Sequence, residues 1–215
     1  MAEITRDDLL GRSIIEFVQK FKIQKVLEIG SWDGTGSTSC FIEAMLPFDD
    51  KSLSCLEINK DRFVDLVKNT KKHEWIKCYN ESSISYKSLL YKDFDNIWHS
   101  PFNGLPREYN PKHIVKGWFE DDVVKLKQVD AGFLERDNSF FDGVLIDGSE
   151  FTGLSEFELL KNRVNYLFLD DVFHAFKTRE VADILLRDSG WECLGYSQNT
   201  RNGFMVFKRK NLING

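Results

Sequence analysis

Residues 25–38 read KVLEIGSWDGTGST, and this stretch decides the fold. A short apolar run, Val26, Leu27 and Ile29, ends at Gly30; Gly34 and Gly36 follow, after which a helical pattern begins. That order of features is a strand, a glycine loop and a helix start. Glycine lets the backbone take positive φ and approach a ligand with no Cβ in the way, while the free N–H groups of a new helix point at whatever lies before them. The loop is built to hold a small molecule.

An acid inside the stretch narrows the choice of molecule. Glu28 stands two residues before Gly30, an odd neighbour for the pyrophosphate of a dinucleotide and a better one for a ligand with an ammonium group. The pattern of acid, any residue, glycine, three residues, glycine, carried by Glu28, Gly30 and Gly34, resembles motif I of the class I S-adenosylmethionine (SAM) dependent methyltransferases. The resemblance implies a Rossmann-like α/β fold: a seven-stranded, mostly parallel sheet with an antiparallel C-terminal hairpin strand and helices on both faces. It also implies that Glu28 lies near the methionine end of SAM, with Gly30, Ser31, Trp32 and Gly34 along the amino-acid and ribose portions. The competing reading is an ordinary tight βα turn in some other α/β protein.

Outward from this loop the chain is regular at first. Leu10, Ile14, Phe17, Val18 and Phe21 recur at helical spacing and predict a helix from about Asp7 to Lys22, with Thr5 starting a capping box. Beyond the loop, a helix over Thr38 to Met45 and strands over Leu53 to Ile58 and Trp75 to Tyr79 are expected, the last two separated by a helix from Asp61 to Asn69. Glu57, 29 residues after Glu28, falls at a strand end facing the crevice, where a carboxylate can accept both hydrogen bonds of a ribose diol. It matches the family's ribose-binding acid, and by the same resemblance Glu81 and Ser82 take the adenine position. From about Tyr91 to Lys116 the regularity breaks: Pro101, Pro106 and Pro111 fall there with Trp98, His99, Phe102, Tyr109 and His113. Such a length suggests a lid or recognition insert, or else a packed surface excursion.

A helix over Gly117 to Phe133 leads to an almost wholly apolar strand, Phe141 to Ile146, which ends in Asp147. After a helix over Leu154 to Leu160, a strand over Tyr166 to Leu169 ends in Asp170 and Asp171, and strands over Trp191 to Ser197 and Gly203 to Lys208 flank a turn containing Asn202 and Gly203. Asp147, Asp170 and Asp171 thus gather at neighbouring strand ends, where carboxylates repel one another unless a cation joins them, and hard oxygens suit Mg²⁺. This resembles metal-dependent O-methyltransferases of the catechol and macrolide-sugar types, and implies a metal held by Asp147, Asp170 and Asp171; the bland alternative is helix caps and turns. His174, Lys177 and Asp147 are the catalytic candidates, the first two as bases for an acceptor hydroxyl.

Composition sets the outer bounds. The 215 residues suit one domain, and a net charge of −5 with 29% charged residues gives no electrostatic reason to coat nucleic acid or an anionic membrane. The first residues, MAEITRDD, lack the basic and apolar parts of a secretory signal, and no apolar run reaches membrane-spanning length. Cys40, Cys55, Cys78 and Cys193 show no zinc spacing and read as reduced thiols of a cytoplasmic protein. The sequence therefore implies a SAM-dependent methyltransferase acting on a hydroxyl of a sugar or other polyhydroxylated small molecule, with Mg²⁺ assistance and a homo-oligomer both open. A SAM-binding regulator without catalysis is one alternative. A short-chain dehydrogenase is another, but none of the six tyrosines has lysine four residues on.

Overall fold

Along the central strands, apolar side chains alternate between two cores, which is how one sheet comes to carry helices on both faces. The computed structural model describes residues 4–212. Its strands are β1 (Lys25–Ile29), β2 (Ser52–Leu56), β3 (Ile76–Tyr79), β4 (Phe141–Ile146), β5 (Val164–Asp170), β6 (Trp191–Ser197) and β7 (Phe204–Arg209). They form one sheet in the order β3-β2-β1-β4-β5-β7-β6. The first five run parallel, and β7 inserts antiparallel between β5 and β6.

Val26, Leu53, Leu145 and Phe168 face one core together with α1 (Leu9–Phe21), α2 (Ser37–Met45) and α3 (Lys60–Thr70). Leu27, Leu56, Val144 and Leu167 face the other, packed by α4 (Phe94–Trp98), α5 (Lys112–Lys127), α6 (Phe133–Arg136), α7 (Gly153–Leu160) and α8 (Arg179–Arg187). The seven-stranded, mostly parallel architecture with its antiparallel hairpin strand agrees with the sequence reading. So does the apolar character of β4, which lies between β1 and β5.

Several boundaries move, each for a local reason. Asp8, not Thr5, caps α1: its carboxylate accepts the Gly11 N–H at 3.0 Å and the Thr5 N–H at 2.7 Å. The helix expected over Gly117 to Phe133 instead begins at Lys112, directly after Pro111, whose fixed φ suits a helix start, and ends at Lys127. Phe133 belongs to the separate short α6. The segment after β5 also carries α8, whose buried Val181, Ala182 and Leu185 sit at helical spacing and were legible but unread.

The excursion from Tyr91 to Lys116 is a packed layer. Phe94, Ile97, Trp98 and Val115 are buried in the second core, the Tyr91 hydroxyl donates to Glu180 at 2.7 Å, and the Phe94 ring meets Phe119. Among the described residues no helix is long and apolar enough to cross a membrane.

Candidate active site

The carboxyl ends of β1 to β5 open into a cavity of about 560 Å³, within the range of small-molecule sites. The glycine loop forms its floor. Gly30 adopts φ +89°, and a Cβ there would lie 2.2 Å from the Asp147 carbonyl oxygen, so only glycine passes between β1 and the end of β4. The Gly30 and Ser31 N–H groups both donate to Leu56 O, at 3.1 and 3.0 Å, and the Asp147 N–H donates to Ile29 O at 3.0 Å. Three strand ends are thereby tied to one loop.

The acid of the loop does not reach the cavity. Glu28 is fully buried behind it, accepting the Ser37 hydroxyl at 2.6 Å and the Thr38 hydroxyl at 2.7 Å. Burial raises its pKa above the ordinary carboxylate value against the pull of those hydroxyls. Glu28 thus anchors the start of α2 and is absent from the cavity lining, which corrects the expected contact with the cofactor. Gly34 is absent from that lining too: it sits at φ +80° against Leu66 of α3, where a Cβ would come within 2.9 Å of the leucine. Its role is to let the loop pack on α3.

Glu57, one residue past β2, does line the cavity together with Gly30, Ser31 and Trp32. One carboxylate oxygen accepts the Trp32 N–H at 2.9 Å and the other the Asn59 N–H at 2.7 Å. Trp32 itself adopts φ +52°, a conformation held by this bond and by the Arg62 guanidinium stacked 3.2 Å from its ring centre. Burial raises the Glu57 pKa despite these donors and the nearby Arg62 charge. Glu81 and Ser82 also reach the wall, with Glu81 paired to Arg136 and the Ser82 hydroxyl donating to Ile84 O at 2.7 Å.

At the other end the three aspartates do come together. Asp147, Asp170 and Asp171 each offer an oxygen within 4.8 Å of the others, close enough to share one ion. Two side-chain cations already stand among them. Lys177 Nζ lies 2.8 Å from Asp147 Oδ1 and 2.7 Å from Asp171 Oδ2. Arg201, on the turn between β6 and β7, places Nη2 2.6 Å from Asp170 Oδ1 and Nη1 2.9 Å from Asp8 Oδ2. Burial alone would lower the Lys177 pKa, but the charges of Asp147, Asp171 and Asp170 outweigh it and hold the ammonium well above its ordinary value. Lys177 is therefore a fixed cation, which corrects its expected role as a base. Burial and the neighbouring Asp147 and Asp171 push Asp170 up to about 7, against the pull of Arg201 and Lys177. His174 is exposed and outside the cavity wall, so the base expected there has no geometric support.

Other wall residues were not anticipated. Glu156 of α7 is 1% exposed; its Oε1 accepts the Ser83 hydroxyl at 2.5 Å and the Thr152 hydroxyl at 2.9 Å, while its Oε2 is buried with no hydrogen-bond partner. The signal was present: Glu156 lies four residues before Leu160, on the buried side of an amphipathic helix. Asp122 of α5 also lines the cavity and bonds Ser149. No residue from 91 to 116 does.

No protein-family model matches this sequence, and no curated protein matches it. Solved structures do. A Staphylococcus aureus protein assigned as a caffeoyl-CoA O-methyltransferase superposes with a TM-score of 0.59 at 13% identity, over 94% of this chain and 84% of that one. The Bacillus cereus O-methyltransferase in complex with SAH gives 0.58 at 12%, over 93% and 80%. TomG of Streptomyces achromogenes, an O-methyltransferase involved in tomaymycin synthesis and solved in complex with SAM, gives 0.57 at 12%, over 94% and 79%. At such identities the likeness is one of fold alone, the fold that these three solved proteins share.

Proposed function

We propose that this protein transfers a methyl group from SAM to an oxygen of a small molecule. The observation that carries the reading is the joint placement, around one cavity, of the Gly30 loop, the Glu57 carboxylate at the end of β2 and an acidic cluster at the ends of β4 and β5. The neighbours crystallised with SAH or SAM share that fold, which supports SAM as the donor.

The donor set fits SAM. Glu57 keeps lone pairs on both oxygens beyond the backbone N–H groups it already accepts, and these suit a ribose diol. Gly30 leaves only backbone at its point of the floor. The Asp147 end carries more carboxylates than the two cations beside it balance, which suits the ammonium of an amino-acid moiety. Bound there, SAM supplies an electrophilic methyl on its sulfonium, and the protein supplies orientation and exclusion of water. An acceptor with several hydroxyls, such as a sugar, suits the polar wall formed by Asp122, Ser149, Asp171 and Asn202.

Calorimetry with SAM and SAH, followed by transfer of a labelled methyl group to a panel of polyhydroxylated and phenolic acceptors, tests this. Binding with turnover is the expected result. Binding without turnover across the panel would favour a SAM-binding regulator, and no binding of either ligand would remove the reading.

A further inference from the structure

We propose that Lys177 takes the place of a divalent metal at the acceptor end of this cavity, its ammonium bridging Asp147 and Asp171 so that Asp171 Oδ1 is held ready to accept a hydrogen bond from the acceptor hydroxyl. The inference rests on the methyltransferase reading only for the identity of that hydroxyl. The cation itself is read from the geometry alone, and it replaces the Mg²⁺ expected from the sequence.

Three observations carry it. First, two oxygens of the cluster, Asp147 Oδ1 and Asp171 Oδ2, are already bonded by Lys177 Nζ, at 2.8 and 2.7 Å. A hard divalent ion such as Mg²⁺ needs the same oxygens at about 2.0–2.1 Å in near-octahedral array. An ion on that pair would have to sit where the ammonium sits, so with Lys177 in place these two oxygens do not fit a metal.

Second, the lysine is not a wandering surface side chain. Its side chain is only 11% exposed, and its backbone is fixed on both sides: its N–H donates to Glu150 Oε1 at 3.2 Å, and its carbonyl oxygen lies where a Cβ on Gly153 would come within 2.2 Å. Only glycine at the start of α7 lets the chain carrying Lys177 lie so close. The position of the ammonium is therefore built in by two elements, α7 and the segment after β5.

Third, Asp171 Oδ1 is buried and has no hydrogen-bond partner, although Asp171 lines the cavity. Asp171 also adopts φ +59°, a costly conformation for an aspartate that aims its carboxylate at Lys177. A buried carboxylate oxygen without a donor is unfavourable, and a hydroxyl arriving from the cavity relieves it. Lys177 is in this view a positioning residue, fixing Asp171 as a metal fixes its ligands.

The test measures Mn²⁺ binding by electron paramagnetic resonance in wild type and in Lys177→Ala, with transfer kinetics run in parallel. Wild type is expected to bind no stoichiometric Mn²⁺ and to keep full activity after chelation. Lys177→Ala, shown folded by circular dichroism, is expected to gain one Mn²⁺ per chain and to raise the acceptor KM at least tenfold. One tightly bound Mn²⁺ in wild type, with activity lost on chelation and restored by the ion, would overturn the proposal. So would a folded Lys177→Ala protein that gains no Mn²⁺ and keeps its acceptor KM. The metal measurement on wild type needs neither the variant nor any turnover, so it stands even if SAM proves not to be the donor.

Discussion

The two walls of the cavity hold their acids in opposite ways. On the side of β1 and β2, Glu28 and Glu57 are held by hydroxyls and backbone N–H groups. On the side of β4 and β5, Asp147, Asp170 and Asp171 are held by the side-chain cations Lys177 and Arg201. The first arrangement fixes the shape of a loop through neutral donors. The second concentrates formal charges of both signs in a small volume, where effective dielectric is low and pairing energies are large. A wall of the first kind suits recognition of a polar ligand by shape. One of the second kind suits chemistry in which charge moves.

The contrast can be broken most severely at the point where the walls meet. Replacing Gly30 by valine puts a Cβ into the Asp147 backbone and forces a β-branched residue to φ +89°. We expect a stability loss of about 3 kcal/mol or more, with donor binding abolished, seen in thermal denaturation and calorimetry. Unaltered binding would mean that the two walls are not joined through this residue.

On the charged wall, Arg201→Met leaves Asp170 and Asp8 without their shared partner. Removing one member of a buried ion pair costs roughly 3 kcal/mol, most of it from the uncompensated charge left behind. Because Asp170 is nearly fully buried, Asp170→Asn combined with Arg201→Met should recover part of the loss. Strict additivity of the two changes in denaturant melts would argue against the pairing.

On the neutral wall the expected effects are smaller. Glu57→Ala should weaken SAM binding by about 1.5–3 kcal/mol, the value of hydrogen bonds to a charged group, while Glu57→Gln retains part of it; equal affinity in wild type and both variants would place the ribose elsewhere. Glu28 separates structure from binding. Its alanine variant strands the Ser37 and Thr38 hydroxyls and should lose about 1–2 kcal/mol of stability.

Glu28→Gln should do the reverse as pH rises. The folded-state pKa of Glu28 is raised above 4.5 by burial, so the folded protein holds a proton that the unfolded chain has released, and wild-type stability falls as pH climbs above 4.5. The glutamine has no such slope, so its advantage over wild type should grow with pH in the same window. A constant difference between the two from pH 4 to 8 would sink this assignment.

The same contrast explains what could be read from the sequence. The neutral wall is made of short-range patterns: the glycines of residues 25–38 and an acid at the end of the next strand, with Trp32 and Glu57 only 25 residues apart. Spacing reports such things directly. The mostly parallel sheet with its antiparallel hairpin strand followed as well, because alternation and turn chemistry agree along β1, β4 and β5.

The carboxylates of the charged wall were also legible, since strand ends are where parallel sheets gather them. Their partners were not. Nothing in the local sequence says that Lys177 turns inward while His174 stays outside, and Arg201 reaches Asp170 only because β7 inserts beside β5. The role of Glu28 was misplaced for a related reason: spacing put it beside the loop but could not say on which side. The excursion from Tyr91 was too irregular for periodicity to show that Phe94, Trp98 and Val115 were buried.

The Arg201 bridge bears on how the chain reaches this state during synthesis. Asp8 and Arg201 are separated by 193 positions, nearly the whole polypeptide, and Arg201 must be present before Asp170 gains its partner. Closing so long a segment is entropically slow compared with forming the local βα units. The glycine loop can form once β2 has left the ribosome, whereas Asp170 stays without its guanidinium partner until the last hairpin emerges. A nascent chain arrested before residue 201 should therefore fold its first strands yet remain open and protease-sensitive around β5. Completion of the site would be among the final events of folding, so that a half-made chain would hold the cavity without its full set of charges.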